Sequence, residues 1–324
     1  MALIQGSTST YSMNGQKEDF HDVIYDISPT ETPVMTAAKR LKATARLHQW
    51  QTDALAAAAL NAQLEGNEAT ATTAATTTVL HNRTMISSKV VRTSRTANTV
   101  DKHGRAREQA RLVAKAGREL KTDIETALLG AQGSSVGSAT VPRQAAGYRA
   151  MITNFETGGT TANTAGTVPG FVSGADFSAA VDGTLGTFVE SDLKNALEKA
   201  WTKGGNPDMI VSNSTLKKVA SGFAGATAYE GFSVNNGRTM QGAVIAGIDV
   251  YVSDYGSHKW VLDRFIGITA VLCLDSEYMG IAWLDPIRNE PLAKVGDGEQ
   301  SLVVCEWTSV LMNPNAHAQI IAAT

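Results

Sequence analysis

Residues 101–130 read DKHGRAREQARLVAKAGRELKTDIETALLG, and the spacing within this stretch organises the rest of the chain. Ala106, Ala110, Val113, Gly117, Leu120, Ile124 and Ala127 recur at alternating steps of four and three, which predicts one face of an α-helix. Arg107, Arg111, Lys115 and Arg118 form a second, basic stripe, displaced from the apolar one at about 100° per residue. Asp101 can cap the start and Gly130 can end the helix. Thirty residues at ~1.5 Å each make a rod of about 45 Å. Its apolar stripe is mostly alanine and glycine, which let neighbours approach closely while burying little area themselves. The helix therefore reads as a strut crossed by other elements.

Upstream of this helix the composition changes. His48-Gln49-Trp50-Gln51-Thr52-Asp53 reads as a strand, with Trp50 facing a partner or folded onto the core. Residues 54–78 form an alanine- and threonine-rich run, too small-residued to bury a core and too threonine-rich for a long helix. Residues 79–93 return as a strand carrying Leu80, Met85, Ile86, Val90 and Val91. Two strands on either side of an irregular tip predict a long protruding hairpin over residues 47–94; a linker between domains would not need apolar strands on both flanks. Residues 1–19 lack periodicity and read as an arm, followed by the apolar series Phe20, Val23, Ile24 and Ile27. In Ser28-Pro29-Thr30-Glu31-Thr32-Pro33, Thr32 is an N-cap candidate and Pro33 suits the first helical position, predicting a short helix through about Arg40.

Downstream, residues 156–187 are glycine- and threonine-rich and read as an exposed loop. A second helix is expected over about 188–203, with Ser191 as cap and Gly204-Gly205-Asn206-Pro207 as its stop. Met209-Ile210-Val211 reads as a short buried strand, and Asn213 or Ser214 can cap the helix carrying Leu216, Val219, Ala220 and Phe223. Asn235-Asn236-Gly237 is a hairpin-type turn. Strands are expected over 244–253, 260–262, 268–274, 279–284, 292–295 and 302–311, with Asp285-Pro286 and Asp297-Gly298 as separators. The last one alternates over its length, with Val303, Cys305, Trp307, Ser309 and Leu311 on one side, and reads as a central strand. The fold class is α+β.

Composition bounds function. The 324 residues are 43% hydrophobic, enough for a real core, but only 6% aromatic, which with the Ala/Thr/Gly tracts points to segments that become ordered on a partner. A net charge of −3 argues against a dedicated nucleic-acid binder, whose affinity would rest on phosphate neutralisation. Cys273 and Cys305, far apart and in no CxxC pattern, read as reduced core thiols of a cytosolic protein. No apolar run approaches the ~18 residues of a membrane span, and the first fifteen residues lack a signal-peptide pattern.

The sequence has no phosphate-binding, dinucleotide, zincin or nucleophile-elbow motif, and its six histidines lack ligand spacing. Asp123 and Glu125 point in different directions from a helix and make a poor acid/base pair. Ser212-Asn213-Ser214 sits where a nucleophile elbow would, but helix capping accounts for it. No catalytic residue, cofactor or metal site is assigned. A charge pattern remains: ten Lys or Arg between Lys89 and Lys121 against Asp101, Glu108 and Glu119, with an acidic arm carrying Glu18, Asp19, Asp22, Asp26 and Glu31. It reads either as a solvated helix face or as complementary surfaces of neighbouring subunits, where individually weak exposed pairs gain weight by repetition.

The order of parts resembles the major capsid proteins of tailed bacteriophages. The segments Ser28-Pro29-Thr30-Glu31-Thr32-Pro33, His48-Gln49-Trp50-Gln51-Thr52-Asp53-Ala54-Leu55, and Gly204-Gly205-Asn206-Pro207-Asp208 leading to Val211-Ser212-Asn213 are similar to a subfamily of phage major head proteins. The resemblance spans residues 20–312 and implies an N-terminal arm (1–46), an E-loop hairpin (47–94), a peripheral domain (95–203 and 276–324) with spine helix 101–130, and an axial domain (204–275). It implies a non-enzymatic shell protein that assembles as pentamers and hexamers around double-stranded DNA, in a virion built in the host cytoplasm. An encapsulin-like compartment holding cargo enzymes is the alternative within the fold, and an extracellular fibre would need repeats at a fixed period that are absent. Inter-subunit contacts are expected at Trp50, Asp53, Arg83, Arg92, Arg107, Arg111, Lys115, Arg118, Glu18, Asp22, Asp26 and Glu31. Some members join neighbours through an E-loop lysine, but none stands between Lys42 and Lys89 here, so no such isopeptide bond is expected. About twenty residues precede the first family-like motif, so the resemblance implies a separate rather than a fused scaffolding protein, together with a portal and a decoration protein as further partners.

Overall fold

A computed structural model describes residues 29–68, 76–104, 106–158, 174–183, 185–223, 249–294 and 296–323. The chain begins with helix α1 (Pro33–Ala37) and strands β1 (Lys39–Lys42), β2 (Leu47–Thr52), β3 (Thr78–Arg83) and β4 (Met85–Ser94). Helices α2 (Arg95–Thr99), α3 (Glu108–Leu128) and α4 (Tyr148–Met151) follow, then β5 (Asn154–Thr157), α5 (Glu190–Thr202), β6 (Met209–Ser212) and α6 (Ser214–Ala220). Strands β7 (Val250–Ser253), β8 (Gly256–Leu262), β9 (Ala270–Leu274), β10 (Met279–Leu292), β11 (Gly298–Leu311) and β12 (Ala318–Ile321) complete it.

The strands form a four-stranded sheet ordered β1-β10-β11-β4, a six-stranded sheet ordered β5-β12-β9-β6-β8-β7, and a separate ribbon of β2 and β3. Strand β11 lies between β10 and β4, antiparallel to both, and its Val303, Cys305, Trp307, Ser309 and Leu311 are buried, the face that its alternation predicts. Helix α3 packs across this sheet through Ala116, Leu120, Ile124 and Leu128, a ladder of four-residue steps. A second core cluster joins α5 and α6 to the six-stranded sheet through Leu193, Leu197, Leu216, Trp260 and Ile320.

Several expectations are corrected. The strut helix begins at Glu108, not Asp101, and at 21 residues it is about 32 Å long. Residues before it form α2, capped by the Ser94 hydroxyl, and a turn in which Gly104 has φ +76°, a conformation that interrupts helix geometry. The helix ends at Leu128, two residues before Gly130. Its buried face is rotated from the predicted stripe: Ala106 and Ala110 are exposed, because Ala116 and Leu128 carry the packing instead. The short helix ends at Ala37, and Lys39–Lys42 becomes a strand parallel to β10. Helix α5 is capped not by Ser191 but at Val189, whose N–H donates to the Asp192 carboxylate.

Asp285-Pro286 does not separate two strands. It is an irregularity within β10, with register shifts between Trp283 and Arg288, which accommodates the proline's missing N–H. The described part of 156–187 is not simply an exposed loop, since Phe177 is buried and the Ser134 amide donates to its carbonyl. Segment 276–324 divides, with β10 and β11 in the four-stranded sheet and β12 paired with β9 and β5 in the six-stranded one, so residues 154–157 and 318–321 join the 204–275 region in one sheet. The arm residues 1–28, the turn Asn235-Asn236-Gly237 and residues 244–248 of a predicted strand lie outside the described residues.

Candidate subunit-contact surfaces

The predicted hairpin is shorter as a ladder than expected. Strands β2 and β3 pair antiparallel from Leu47 opposite Arg83 to Thr52 opposite Thr78. At Thr84 the chain leaves this ribbon, and residues 85–94 pair with β11 instead of with β2. The strand-like stretch 79–93 is continuous in sequence, but at Thr84 its two halves enter different sheets. Between the ribbon strands, the described residues 53–68 and 76–77 are without regular structure and mostly exposed.

The base of the ribbon is pinned by polar groups. Asn82 is buried; its Nδ2 donates to the Ser309 carbonyl and hydroxyl, both at 2.9 Å, and its Oδ1 accepts from the Ala146 amide at 3.0 Å. Arg83 pairs with Asp176 in bidentate fashion at 2.8 and 3.0 Å, and His81 Nε2 is 3.1 Å from the same carboxylate. These two bases hold the Asp176 carboxyl below its ordinary value although burial opposes them. Arg143 donates to the Thr84 carbonyl at 2.6 Å and pairs with Glu306, which also accepts from the Thr84 hydroxyl at 2.6 Å. Gly147 lies against the Gly130 carbonyl at the end of α3, where any side chain would collide with backbone.

A second polar joint ties α1 to α3. Glu125 is fully buried, and its two carboxylate oxygens accept the amides of Val34 and Met35 at 2.7 and 2.8 Å. Thr32 supplies no side-chain cap, so the capping oxygens come from a helix 90 residues away. Asp263, also buried, faces Glu125, and burial together with this second carboxyl pushes Glu125 up to about 8.

The predicted contact residues divide into three groups. Trp50 folds onto the core: it is half-buried, contributes to two apolar clusters, and its indole N–H has no hydrogen-bond partner among the described residues. Arg83 pairs with Asp176 within the chain. Exposed are Asp53 at the start of the tip, Arg92 on β4, Arg107, Lys115 and Arg118 along α3, and Glu31 before α1. Arg111 is partly exposed and pairs with Glu108 at 2.7 Å, and Lys115 lies 3.7 Å from Glu119. The basic stripe of α3 is therefore partly neutralised by its own helix. Glu18, Asp22 and Asp26 lie outside the described residues.

Sequence reasoning missed the roles of Glu125, Asp176, Asp263 and Glu306, whose partners are distant along the chain. At the strand-to-helix junction, Asn213 caps α6 by accepting the Leu216 amide at 2.9 Å, and the Ser212 hydroxyl accepts the Trp260 indole N–H at 2.7 Å, so both are structural.

Comparison with known proteins follows this architecture. A major capsid protein of Escherichia phage Phieco32 is 39% identical over 124 residues, a match covering 38% of this chain and 35% of that protein. A solved structure from Gordonia phage Cozz aligns with 99% of this chain and 97% of its own at a TM-score of 0.58 and 12% identity. The capsid structure of the cyanophage P-SCSP1u aligns with 95% and 93% of the two chains at 0.58 and 12% identity. The fold is that of tailed-phage capsid proteins. The model of the SU10 major capsid protein family matches residues 6–324, and the chain belongs to that family.

Proposed function

We propose that this chain assembles through pentamers and hexamers into a closed icosahedral head around double-stranded DNA. The observation that carries the reading is the ribbon β2–β3 with its exposed tip. The described tip residues 53–68 bury almost nothing on their own molecule, so in this reading their ordering comes from neighbouring copies. In this reading the four-stranded sheet with α3 forms the peripheral region, and the six-stranded sheet with α5 and α6 forms the axial region. Many modest contacts, repeated by symmetry, hold the shell closed while single subunits stay soluble. The net charge of −3 suits an inner surface that does not grip DNA tightly.

A separate scaffolding protein, a portal and a decoration protein are the further partners of this reading, and assembly takes place in the host cytoplasm. No catalytic step is assigned to the chain. Electron microscopy of the purified protein, alone and with its neighbouring genes, tests the proposal: closed shells or five- and six-membered rings are expected, and a small particle that never assembles refutes it. Because the tip carries no lysine, particles boiled in SDS should release single chains of unmodified mass. Covalent multimers would refute that part.

A further inference from the structure

Two buried carboxyl groups meet where the two large sheets join. Glu125 belongs to α3, which crosses the four-stranded sheet, and Asp263 opens the connection 263–269 between β8 and β9 of the six-stranded sheet. They are 0% and 2% exposed. Their remaining bonds are unequal. Both Glu125 oxygens accept α1 amides, at 2.7 and 2.8 Å, so this carboxyl is held in place from α1. Among the described residues, Asp263 accepts the Phe265 amide through Oδ1 at 2.7 Å, a bond within its own connection, and its Oδ2 meets no donor other than Glu125. The ionisable groups on the surrounding elements leave the pair unneutralised. Helix α1 has no ionisable side chain. From α4 come Tyr148, whose hydroxyl donates to the Gly280 carbonyl at 2.9 Å, and Arg149, which lies beside Gly267 but is paired with Asp182. On α3, Lys121 is exposed and Asp123 pairs with Lys89 of β4; Arg264, next to Asp263, is exposed.

We propose that this pair is a proton-held clasp: while the two carboxyls share one proton the β8–β9 connection is fastened to α3, and when that proton passes to solvent Asp263 swings outward and carries the connection with it. The inference goes beyond the shell reading and stands without it. The direction of movement follows from the bonds. Once both groups are ionised they repel in a site of low dielectric. Glu125 is retained by two amides that favour its charged form, whereas Asp263 has solvent one residue away, at Arg264. What still holds the connection is Ile266, buried in the main core, and the Thr269 hydroxyl, which donates to Asp182 at 3.2 Å. Because opening releases a proton, a rise in pH favours it. Burial and the facing carboxyl push Glu125 from its ordinary 4.5 up to about 8 in the closed form. Between these two values each pH unit favours opening by up to about tenfold, and above the upper one the gain levels off.

Limited trypsin digestion of unassembled subunits reads the clasp. Cleavage after Arg264 requires the connection to leave the core, whereas cleavage after Lys121 requires α3 to unfold, and the ratio of the two cancels the pH dependence of trypsin itself. Between about pH 6 and pH 8 this ratio should rise about tenfold or more in the wild type. In Asp263→Asn the amide can donate to ionised Glu125 while its oxygen still accepts the Phe265 amide, so the ratio should stay level. A wild-type ratio that does not change overturns the inference, and so does an equal rise in Asp263→Asn. Should the Asp263→Asn subunit fail to fold by circular dichroism, wild-type amide hydrogen exchange, corrected for intrinsic rates, decides instead. Selective loss of protection at Phe265 and Ala270 over the same range supports the clasp, and no loss, or loss shared equally by α3, overturns it. Each of these outcomes is read on single subunits, so none of them decides whether shells form.

Discussion

Replacing Glu125 with glutamine should convert a pH-dependent joint into a pH-independent one. The side chain caps α1 through the Val34 and Met35 amides while facing the buried Asp263, whose Oδ2 has no other donor among the described residues. Two ionised carboxylates cannot share this dry site at low cost, so one proton stays between them and Glu125 rises from its ordinary 4.5 to about 8. Tyr148, from α4, is fully buried; burial and the Glu125 charge raise its hydroxyl, which donates to the Gly280 carbonyl and stays protonated. The folded state therefore binds more protons than the unfolded chain between these two values. Stability from this site is complete below pH 4.5 and is lost as pH rises toward and through 8. Each tenfold gain in proton affinity on folding is worth about 1.4 kcal/mol, which gives a loss of roughly 3–5 kcal/mol across the window. Glutamine can donate to Asp263 but leaves one α1 amide without an acceptor, a cost of about 1–2 kcal/mol at any pH. Urea unfolding of unassembled subunits, followed by tryptophan fluorescence, should show wild type ahead at about pH 5 and its lead erased or reversed at about pH 8.5. Parallel stability curves for the two proteins would refute the shared-proton argument.

Arg83→Ala should cost about 1–3 kcal/mol and loosen the ribbon before the sheets, because it removes a partly buried bidentate pair; faster amide exchange at residues 47–52 and 78–83, with β11 unchanged, is the check. Leu120→Ala, at a fully buried position of α3, should destabilise the subunit by about 2–5 kcal/mol in thermal or urea unfolding. Cys273 and Cys305 are buried and pushed up to about 12 by desolvation, so a thiol reagent at about pH 8 should label neither until the subunit unfolds. Rapid labelling of the folded protein would show that one of these sites opens.

Elements whose partners sit close in sequence, or whose burial follows a simple period, were readable in advance. The alternation of Leu302 to Leu311 gave both the central position of β11 and its buried face. Asn213 was legible as a cap because capping acts over three residues. The start of α3 was not, since Asp101 is a good cap candidate and the interruption at Gly104 depends on a backbone angle that glycine permits without requiring. Splitting of 79–93 at Thr84 could not be read either, because both halves have strand-forming composition and only their pairing, with β2 on one side and β11 on the other, divides them. The polar joints were invisible for a further reason. Glu125 meets Val34 across 91 residues, and Arg143 meets Glu306 across 163, distances over which no local pattern operates. Of the proposed contact residues, those on α3 were legible as an exposed basic face, while Trp50 and Arg83 could be placed only once their inward partners were known.

The break at Thr84 bears on how one polypeptide can meet two local symmetries. A shell closed from five- and six-membered rings demands different dihedral angles between neighbours from chemically identical chains. A hairpin continuous with the main sheet would resist such variation through every rung of its ladder. Here the continuous ladder ends at a single residue, and the ribbon is oriented relative to the sheet by the side chains of Asn82, Arg83, Arg143 and Glu306. Changing its angle by a few degrees falls on these side chains and on the packing of Trp50 and Leu80, not on the rungs of either ladder. The protein thus separates the rigidity of its parts from the adjustability of their arrangement, and the seam between them is one threonine wide.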